Sequence, residues 1–435
     1  MGRLSAALKT ELLKQAPEVS ILLKITVAGT VHRFSDAGGT FIADGAYHDE
    51  VLSWGGGPAR GVTQKTNSLE ITNWEVTLND TEQEITKLLE GPLRHFVRGA
   101  TAVVYLSSRN VASADWLTLN SGRVDTYGQS SLAAWTFQLS PNDLPLQRES
   151  IPKGKIRASD WPASALTVRD LPSPIIYGRI SSANGTNDGA VPCHYVDSGG
   201  FRYLVAAGWL KSVDTVYKDG TPVPAADYAI THPVVNGRLY TLIDFVANQG
   251  ASTITCDVQG YETVGDGTGT LITDPPTVLA HILHNWIYGD YRSGAWLTNT
   301  APVDAASFAA ATAFYSARGY EASGYFATKR TGLSVVNDFL RSFEQKAYWS
   351  TDGKIALFVE DFTAWSYVTD LVLPEDSIDG WQLAYPTTDL VDEVEARYAQ
   401  TPTGGFTQTL SVKDLGTGED ALEPLELPNS GAAFL

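Results

Sequence analysis

Hydrophobic residues recur at helical spacing over one long part of the sequence, residues 274–361. Asp274-Pro275-Pro276 predicts an N-cap and the first turn of a helix, because proline is tolerated where an N–H has no intrahelical partner. Two further helical patterns begin after Asp304 and near Thr331. The predicted inward faces are Val278, Leu279, Ile282, Leu283 and Trp286; Phe308, Thr312 and Tyr315; and Leu333, Val336, Leu340 and Phe343. An Asp352-Gly353 turn between apolar runs then predicts a β-hairpin, so this part forms a small helical α+β module.

Apolar and polar residues alternate through much of the sequence before residue 274, which predicts strands with one buried face. Prolines at positions 141, 145 and 152 separate an N-terminal set of strands from a second set. The predicted strands are residues 21–27, 31–34, 69–78, 101–106, 116–124, 134–139, 175–180, 203–206, 213–217, 239–245 and 252–258, with a turn inside 116–124. Short helices are predicted over residues 4–15 and around Ile85, Leu88 and Leu89. Lys218-Asp219-Gly220-Thr221 predicts a hairpin turn, and the glycine-rich residues 265–270 predict a linker into the helical module. The fold class is therefore α+β, mostly β, with β-sandwich or β-barrel domains.

Charge is concentrated at the end of the sequence. The formal net charge is −18, and residues 360–435 hold 2 basic against 15 acidic residues. Such a balance argues against specific binding to a nucleic-acid backbone, which requires clustered lysine and arginine. Residues 371–373, 381–385 and 391–398 predict further strands. The glycine- and proline-rich residues 416–435 predict an extended arm that lies across another surface, because they cannot form a core alone.

The two cysteines, Cys193 and Cys256, predict neither a disulfide framework nor a zinc site of the CxxC kind. A bridge between them is left open by the sequence, and lone thiols are compatible with folding in a reducing cytoplasm. No apolar run predicts a signal peptide or a membrane span.

The sequence patterns give little support to a catalytic or metal site. His281 and His284 stand three residues apart on a helix, where one half of a metal site is the less favoured interpretation and ordinary buried or surface histidines the more favoured one. Adjacent carboxylates such as Glu375-Asp376 and Glu419-Asp420 predict solvated faces rather than an acid–base pair. No nucleophile elbow, phosphate loop or zinc-protease motif occurs. We therefore expect no catalytic residue, no cofactor and no metal site.

Four segments resemble the central hub proteins of the tail tip or baseplate of long-tailed bacteriophages. These are residues 22–34 leading to the run Ser68-Leu69-Glu70-Ile71-Thr72-Asn73-Trp74 and on to residue 89; Leu119-Asn120-Ser121-Gly122-Arg123-Val124-Asp125 with Leu139-Ser140-Pro141; residues 173–180 with 212–220; and the module at 274–361. The resemblance covers most of the chain.

The resemblance implies a homotrimer on the tail axis whose tail-tube-like β-domains join a sixfold tail tube to threefold tip proteins. The implied domains are an N-terminal tail-tube-like β-domain (1–152), a second β-rich domain (153–270), the helical module (271–361), a C-terminal β segment (362–415) and the arm (416–435). The implied neighbours are the distal tail protein and tail tube above, fibre or tip proteins below, and the tape measure protein inside. DNA would pass without specific binding, in a virion assembled in the host cytoplasm.

Two groups of residues are the candidate interaction sites under this hypothesis. Leu422, Leu425, Leu427, Phe434 and Leu435 are the candidate partner-contact residues of the arm. Asp389, Asp392, Glu393 and Glu395 are the candidate acidic lining of a channel, although an outward-facing acidic surface is equally allowed by the sequence. An acidic lining would repel phosphates and let DNA slide.

The alternative hypothesis is a carbohydrate-binding or glycoside-hydrolysing protein. Eleven tryptophans and nineteen tyrosines supply candidate sugar-stacking platforms, and the carboxylates supply candidate acids. The mass in solution separates the hypotheses, because the hub is expected to be a trimer and the carbohydrate protein a monomer. A cell-surface adhesin is a third and weaker alternative.

Overall fold

A computed structural model describes residues 5–12, 14, 19–36, 39–41, 44–49, 51–55, 69, 73–80, 83–92, 94–131, 133–141, 143–181, 191–289, 301–350, 352–359, 393–400, 406–413 and 432–434. These residues belong to two compact units. The larger unit holds the described residues up to Val359 together with residues 432–434, and the smaller unit holds residues 393–400 and 406–413. The α+β, mostly β fold class is confirmed.

A nine-stranded sheet organises the N-terminal third of the chain. Its elements are α1 (Ala6–Leu12), β1 (Val19–Val27), β2 (Thr30–Ser35), β3 (Gly39–Phe41), β4 (Gly45–Asp49), β5 (Val51–Trp54), β6 (Trp74–Asn79), α2 (Glu84–Glu90), α3 (Arg94–Val97), β7 (Thr101–Ser108), β8 (Leu117–Ser131) and β9 (Ala134–Ser140). The strand order is β3-β4-β2-β1-β7-β8-β9-β6-β5. Its outer strands do not pair with each other, so no closed barrel forms among the described strands.

Alternation along β1 gives this sheet two apolar faces. Leu23, Ile25 and Val27 contribute to one core, which α2 and α3 cover through residues such as Ile85 and Val97. Leu22 points the other way, into a smaller cluster of Leu8, Phe41, Tyr47, Val111 and Trp116 beneath α1. Period-two alternation places successive side chains on opposite faces, so one strand serves both clusters.

An ion pair lies within the smaller cluster. Lys24 Nζ donates to Asp44 Oδ1 at 2.6 Å, lies 5.1 Å from the ring centres of Tyr105 and Trp116, and Tyr47 Oη donates to Asp44 Oδ2 at 2.6 Å. Burial raises the pKa of Asp44, but the hydrogen bonds from Lys24 and Tyr47 and the charges of Lys24 and Arg33 outweigh burial, so the net pKa is lowered. Asp44 is therefore held ionised in the folded chain.

The turn predicted inside residues 116–124 is wrong, because β8 continues through it as one fifteen-residue strand. Gly122 permits close approach of the next strand, since a Cβ there would lie 2.0 Å from the carbonyl oxygen of Ser140. Glycine in a strand often marks such a backbone contact rather than a turn.

Two five-stranded sheets form the second β-rich region. The elements from residue 144 onward are α4 (Leu144–Arg148), β10 (Ser150–Ile151), β11 (Ile175–Tyr177), β12 (Arg179–Ile180), β13 (Val191–Pro192), β14 (His194–Asp197), β15 (Arg202–Ala207), β16 (Ser212–Lys218), β17 (Thr221–Pro222), β18 (Tyr228–Thr231), β19 (Val234–Val235), β20 (Arg238–Phe245) and β21 (Ile254–Gln259). One sheet contains β12, β13, β16, β17 and β21, and the other contains β14, β15, β18, β19 and β20. The predicted hairpin at Lys218-Asp219-Gly220-Thr221 is confirmed, with positive φ at Asp219 (45°) and Gly220 (84°).

The glycine-rich residues 265–269, interpreted from sequence as a linker, form an ordered loop around a buried carboxylate. Glu262 accepts backbone N–H groups from Val264 (2.6 Å), Asp266 (2.7 Å) and Gly267 (3.0 Å), and also from Gly265. Backbone donors of this kind stabilise a carboxylate that is shielded from water.

The helical module contains α5 (Pro275–His281), a π-helical turn (Ile282–Ile287), α6 (Ala305–Ala317), β22 (Ala322–Phe326), β23 (Arg330–Thr331), α7 (Gly332–Ser342), β24 (Lys346–Trp349) and β25 (Ile355–Phe358). The three helices and the final hairpin are confirmed. Side chains of Asp274, Asp304 and Thr331 accept from the backbone N–H three residues later and cap the helices. The π-helical turn, in which Tyr288 N donates to Leu283 O at 2.9 Å, was not predicted.

One apolar core joins the second β-rich region to the helical module. It includes Tyr177, Val258, Leu283, Trp286 and Leu340. Leu69 also belongs to it, and its backbone N donates to Asn337 Oδ1 at 2.8 Å. The N-terminal residues are therefore attached to the helical module by both burial and a hydrogen bond.

The remaining strands are β26 (Glu393–Gln400), β27 (Phe406–Lys413) and β28 (Ala432–Phe434). In the smaller unit, β26 and β27 form an antiparallel pair. The strand predicted over 391–398 is confirmed within residues 393–398, and the strands predicted over 371–373 and 381–385 lie outside the described residues. In the larger unit, β28 pairs in parallel with β22, with Ala322 opposite Ala432 and Gly324 opposite Phe434.

Leu340→Ala is expected to lower the free energy of unfolding by about 2–5 kcal/mol, because it removes a buried side chain and leaves a cavity. Leu340 is fully buried. Leu166→Ala is the matched control, since Leu166 is 80% exposed and its loss should change stability by less than about 0.5 kcal/mol. Urea denaturation followed by tryptophan fluorescence measures both, and equal losses would contradict the assigned core.

Asp44→Asn is expected to destabilise the chain by about 1–3 kcal/mol at pH 7, because a charged hydrogen-bond acceptor is lost. A lowered pKa supplies stability above the ordinary value of 3.8, and that stability disappears as pH falls through the folded-state pKa. The difference between wild type and Asp44→Asn should therefore shrink below pH 3.8. Asp170→Asn, at an exposed pair with Lys155, should have little effect at any pH. A difference in the free energy of unfolding between wild type and Asp44→Asn that stays constant down to pH 3 would contradict the stabilising role of the Lys24–Asp44 pair.

Candidate assembly surface

The interaction residues proposed from sequence lie mainly beyond what the structure describes. Leu422, Leu425, Leu427, Leu435, Asp389 and Asp392 lie outside the described residues, whereas Glu393 and Glu395 are located by backbone on β26 and Phe434 on β28. The arm contacts and the acidic lining therefore stay predictions. Phe434 is brought beside β22 of the same larger unit, a pairing that the sequence did not indicate.

His281 and His284 have separate internal partners. His281 is half-buried, its Nδ1 lies 2.7 Å from Tyr177 Oη, and desolvation with the charge of nearby His284 lowers the pKa of His281 to about 3. His284 Nδ1 accepts from the backbone N of Ala301 at 3.0 Å. No group of three or more metal-binding side chains occurs among the described residues. No helix in the described part is both long and apolar enough to cross a membrane.

The most distinctive surface is the outer half of the hairpin formed by β8 and β9. Residues 117–123 of β8 pair with β7 on one side, and the register ends at Thr101 opposite Arg123. Val124 still exchanges hydrogen bonds with Gly99 and Ala100. From Thr126 onward β8 pairs with β9 alone, so residues 126–128 form an open strand edge among the described strands.

Side chains of β8 and β9 pack together and support this open edge. Tyr127 packs with ring-centre distances of 6.4 Å to Trp135 and 6.0 Å to Phe137 on β9. The indole N–H of Trp135 donates to Asp80 Oδ2 at 3.2 Å, and Asp80 also accepts from the backbone N of Ile85 at 2.8 Å, in the first turn of α2. The edge is therefore supported by a packed cross-strand cluster and a buried carboxylate, which pre-organise it for pairing.

The chemistry of this edge favours contact with another strand. Residues 126–142 contain no charged side chain, while Thr126 and Gly128 are exposed. Natural sheets usually protect an edge with charges, proline or a covering element, because exposed N–H and C=O groups are templates for pairing with another chain. The sequence contained the uncharged run, but the open edge depends on β8 continuing to Ser131, beyond the predicted strand 116–124 and beyond its pairing with β7.

A second open edge lies at the far end of the same sheet. Val51–Trp54 forms an outer strand that pairs with β6 and with no other described strand. Among the described strands, the sheet therefore presents the edge at residues 126–128 and its two outer strands, β3 and β5. Two non-identical edges are what a head-to-tail interface requires, and such interfaces close into rings when the rotation allows.

The comparisons with known proteins leave the family open. No family model matches the sequence, and no curated protein matches it. Among solved structures, one chain of a particle described as "Virion of native gene transfer agent (GTA) particle" is similar, with 17% identity, a TM-score of 0.28, and coverage of 59% of this chain and 84% of that chain. A TM-score of 0.28 is too low for this likeness to carry an argument about fold or function.

Thr126→Glu is expected to weaken association through the open edge by about tenfold or more, since strand pairing would desolvate the added charge without supplying an opposite charge. Thr101→Glu is the matched control, because Thr101 is equally exposed but lies on a strand paired on both sides, opposite Arg123. Sedimentation velocity over a concentration series measures the dissociation constants. Equal dissociation constants for both variants and wild type would exclude this edge from assembly.

Proposed function

We propose that this protein is the structural hub of a phage tail tip or baseplate. Three copies form a ring that joins the sixfold tail tube to threefold tip proteins and encloses the channel for the tape measure protein and DNA. The observation that carries the proposal is the open, uncharged and braced edge at residues 126–128 in a nine-stranded sheet. It is joined by the four segments of hub-like sequence, all of which lie wholly or partly among the described residues.

The geometry of the sheet supports a ring built by strand pairing. Each copy would offer the edge at residues 126–128 to the edge at Val51–Trp54 of the next copy, a heterologous contact repeated three times. Main-chain hydrogen bonds would supply affinity at such a contact, and alternate side chains would supply specificity. The function of the proposed ring is to join the sixfold tail tube to the threefold tip proteins.

The buried ionisable groups support a structural rather than a catalytic role. Glu262 is held by backbone N–H groups, Asp160 accepts from Arg238 at 3.2 Å and from Asn236 at 2.8 Å, and His281 contacts Tyr177. Each of these groups is engaged within the fold, whereas catalysis needs a group within reach of a substrate. We therefore propose that the protein acts by assembly and is not an enzyme.

The tryptophans give little support to the carbohydrate alternative. Eight of the eleven lie among the described residues, where Trp74, Trp116, Trp161 and Trp286 are buried and the other four are half-buried. A sugar-stacking platform needs an exposed aromatic face, and none of these eight described tryptophans is exposed. Their packing favours a core role.

The proposed location is the tail tip of a virion assembled in the host cytoplasm. The proposed neighbours are the distal tail protein and tail tube above, fibre or tip proteins below, and the tape measure protein inside. Negative charge is concentrated in residues 360–435, and an acidic channel surface would let DNA pass without binding. Asp389, Asp392, Glu393 and Glu395 remain the proposed lining, and the leucines of the arm remain the proposed partner contacts.

Light scattering of the purified chain is expected to give three times the 46.9 kDa chain mass. Electron microscopy of particles carrying a tagged chain is expected to place the tag at the tail tip, with three copies per particle. Thr126→Glu should lower the trimer fraction without loss of helix or strand content. A stable monomer that binds or hydrolyses a polysaccharide would overturn the proposal and favour the carbohydrate alternative.

A further inference from the structure

Two cysteines meet at the point where the chain passes from one five-stranded sheet to the other. Cys193 follows β13, which belongs to the sheet containing β21, and precedes β14, which belongs to the second sheet. Cys256 lies on β21 and is fully buried, while Cys193 is half-buried. Both are free thiols, and their sulfur atoms are 3.5 Å apart.

The strand register explains why two residues separated by 63 positions come together. Val191 stands opposite Cys256 in the antiparallel pair, and the backbone N of Cys193 donates to Ile254 O at 2.9 Å. Residues two apart on a strand share a face, so Cys193 and Cys256 are diagonal neighbours on one face. The sulfur atoms need to approach by about 1.5 Å to reach bonding distance.

We propose that Cys193 and Cys256 form a site of oxidative modification, at which a small disulfide oxidant converts the two thiols into an intramolecular disulfide. This site is independent of the proposed hub function. Nothing in the cysteine spacing indicates it, because the contact arises from strand pairing.

The difference in burial sets the order of the two steps. The half-buried Cys193 thiolate attacks one sulfur of the oxidant, forms a mixed disulfide and releases one small thiolate. Cys256 then loses its proton to the solvent and attacks Cys193 Sγ, which releases the second small thiolate. Two protein thiols are oxidised, one small disulfide is reduced to two thiols, and the proton count balances when both released thiolates are protonated.

Burial also makes Cys256 a poor first nucleophile. Its hydrogen bond with Cys193 and its burial raise the pKa of Cys256, so the thiol form dominates in the folded chain. Conversion of Cys193 into a mixed disulfide removes that contact and places an electrophilic sulfur beside Cys256. A pair of this kind stays reduced in a reducing cytoplasm and becomes oxidised outside it.

The test uses oxidised glutathione on the folded full chain, followed by alkylation of remaining thiols under denaturing conditions and intact-mass measurement. Wild type is expected to lose two hydrogen atoms, retain no alkylatable thiol and carry no glutathione. Cys256→Ser should gain one glutathionyl group at Cys193, because the resolving thiol is missing. Cys193→Ser should stay unmodified, because Cys256 is buried.

Three results would overturn the proposal. The first is wild type that keeps both alkylatable thiols under conditions in which Cys256→Ser becomes glutathionylated. The second is wild type that accumulates the mixed disulfide or a disulfide-linked dimer. The third is an absence of reaction in wild type and in Cys256→Ser, which would show that Cys193 is not accessible. Peptide mapping of the oxidised wild type should identify a single Cys193–Cys256 cross-link.

Discussion

Every strand in this protein is subject to the requirement that its backbone N–H and C=O groups find partners. In the nine-stranded sheet each of the seven interior strands has a neighbour on both sides. Among the described strands, the two outer strands and residues 126–128 of β8 have a neighbour on one side alone. The absence of charged side chains from residues 126–142 leaves this edge without the usual protection. The fold therefore makes a surface whose chemistry favours another strand, and the proposed ring follows from it.

The rest of the larger unit holds that surface in place. Trp135 and Asp80 attach the hairpin to α2, while Arg123 on β8 pairs with the buried Asp143 at 3.1 Å just before α4. From α4 the chain enters the large core that contains Trp286 and Leu340. Removing a buried partner from such contacts leaves an unpaired polar group or a cavity. Substitutions at the junction between the sheet and the helical module are therefore expected to lower the free energy of unfolding.

Local features of the sequence predicted local features of the fold. The cap at Asp274, the helix starts after Asp304 and near Thr331, and the hairpin at Asp219-Gly220 depend on interactions within a few residues, so the sequence predicted them directly. Gly122 was misinterpreted because its close neighbour, Ser140, is distant in sequence. The π-helical turn at Ile282–Ile287 was not predicted, because Leu283 and Trp286 stand at a spacing that an ordinary α-helix would also bury on one face.

The candidate surface was less predictable than the fold. An uncharged run is visible in the sequence, but the open edge exists because β8 continues to Ser131, past Arg123, where its pairing with β7 stops at Thr101. The pairing of β28 with β22 likewise joins residues more than one hundred positions apart. The most direct measurement is hydrogen exchange of the backbone amides of residues 126–128 in the proposed wild-type oligomer and in a dissociated Thr126→Glu chain. The account predicts slow exchange in the oligomer and fast exchange in the dissociated chain, whereas equally fast exchange in both would contradict it.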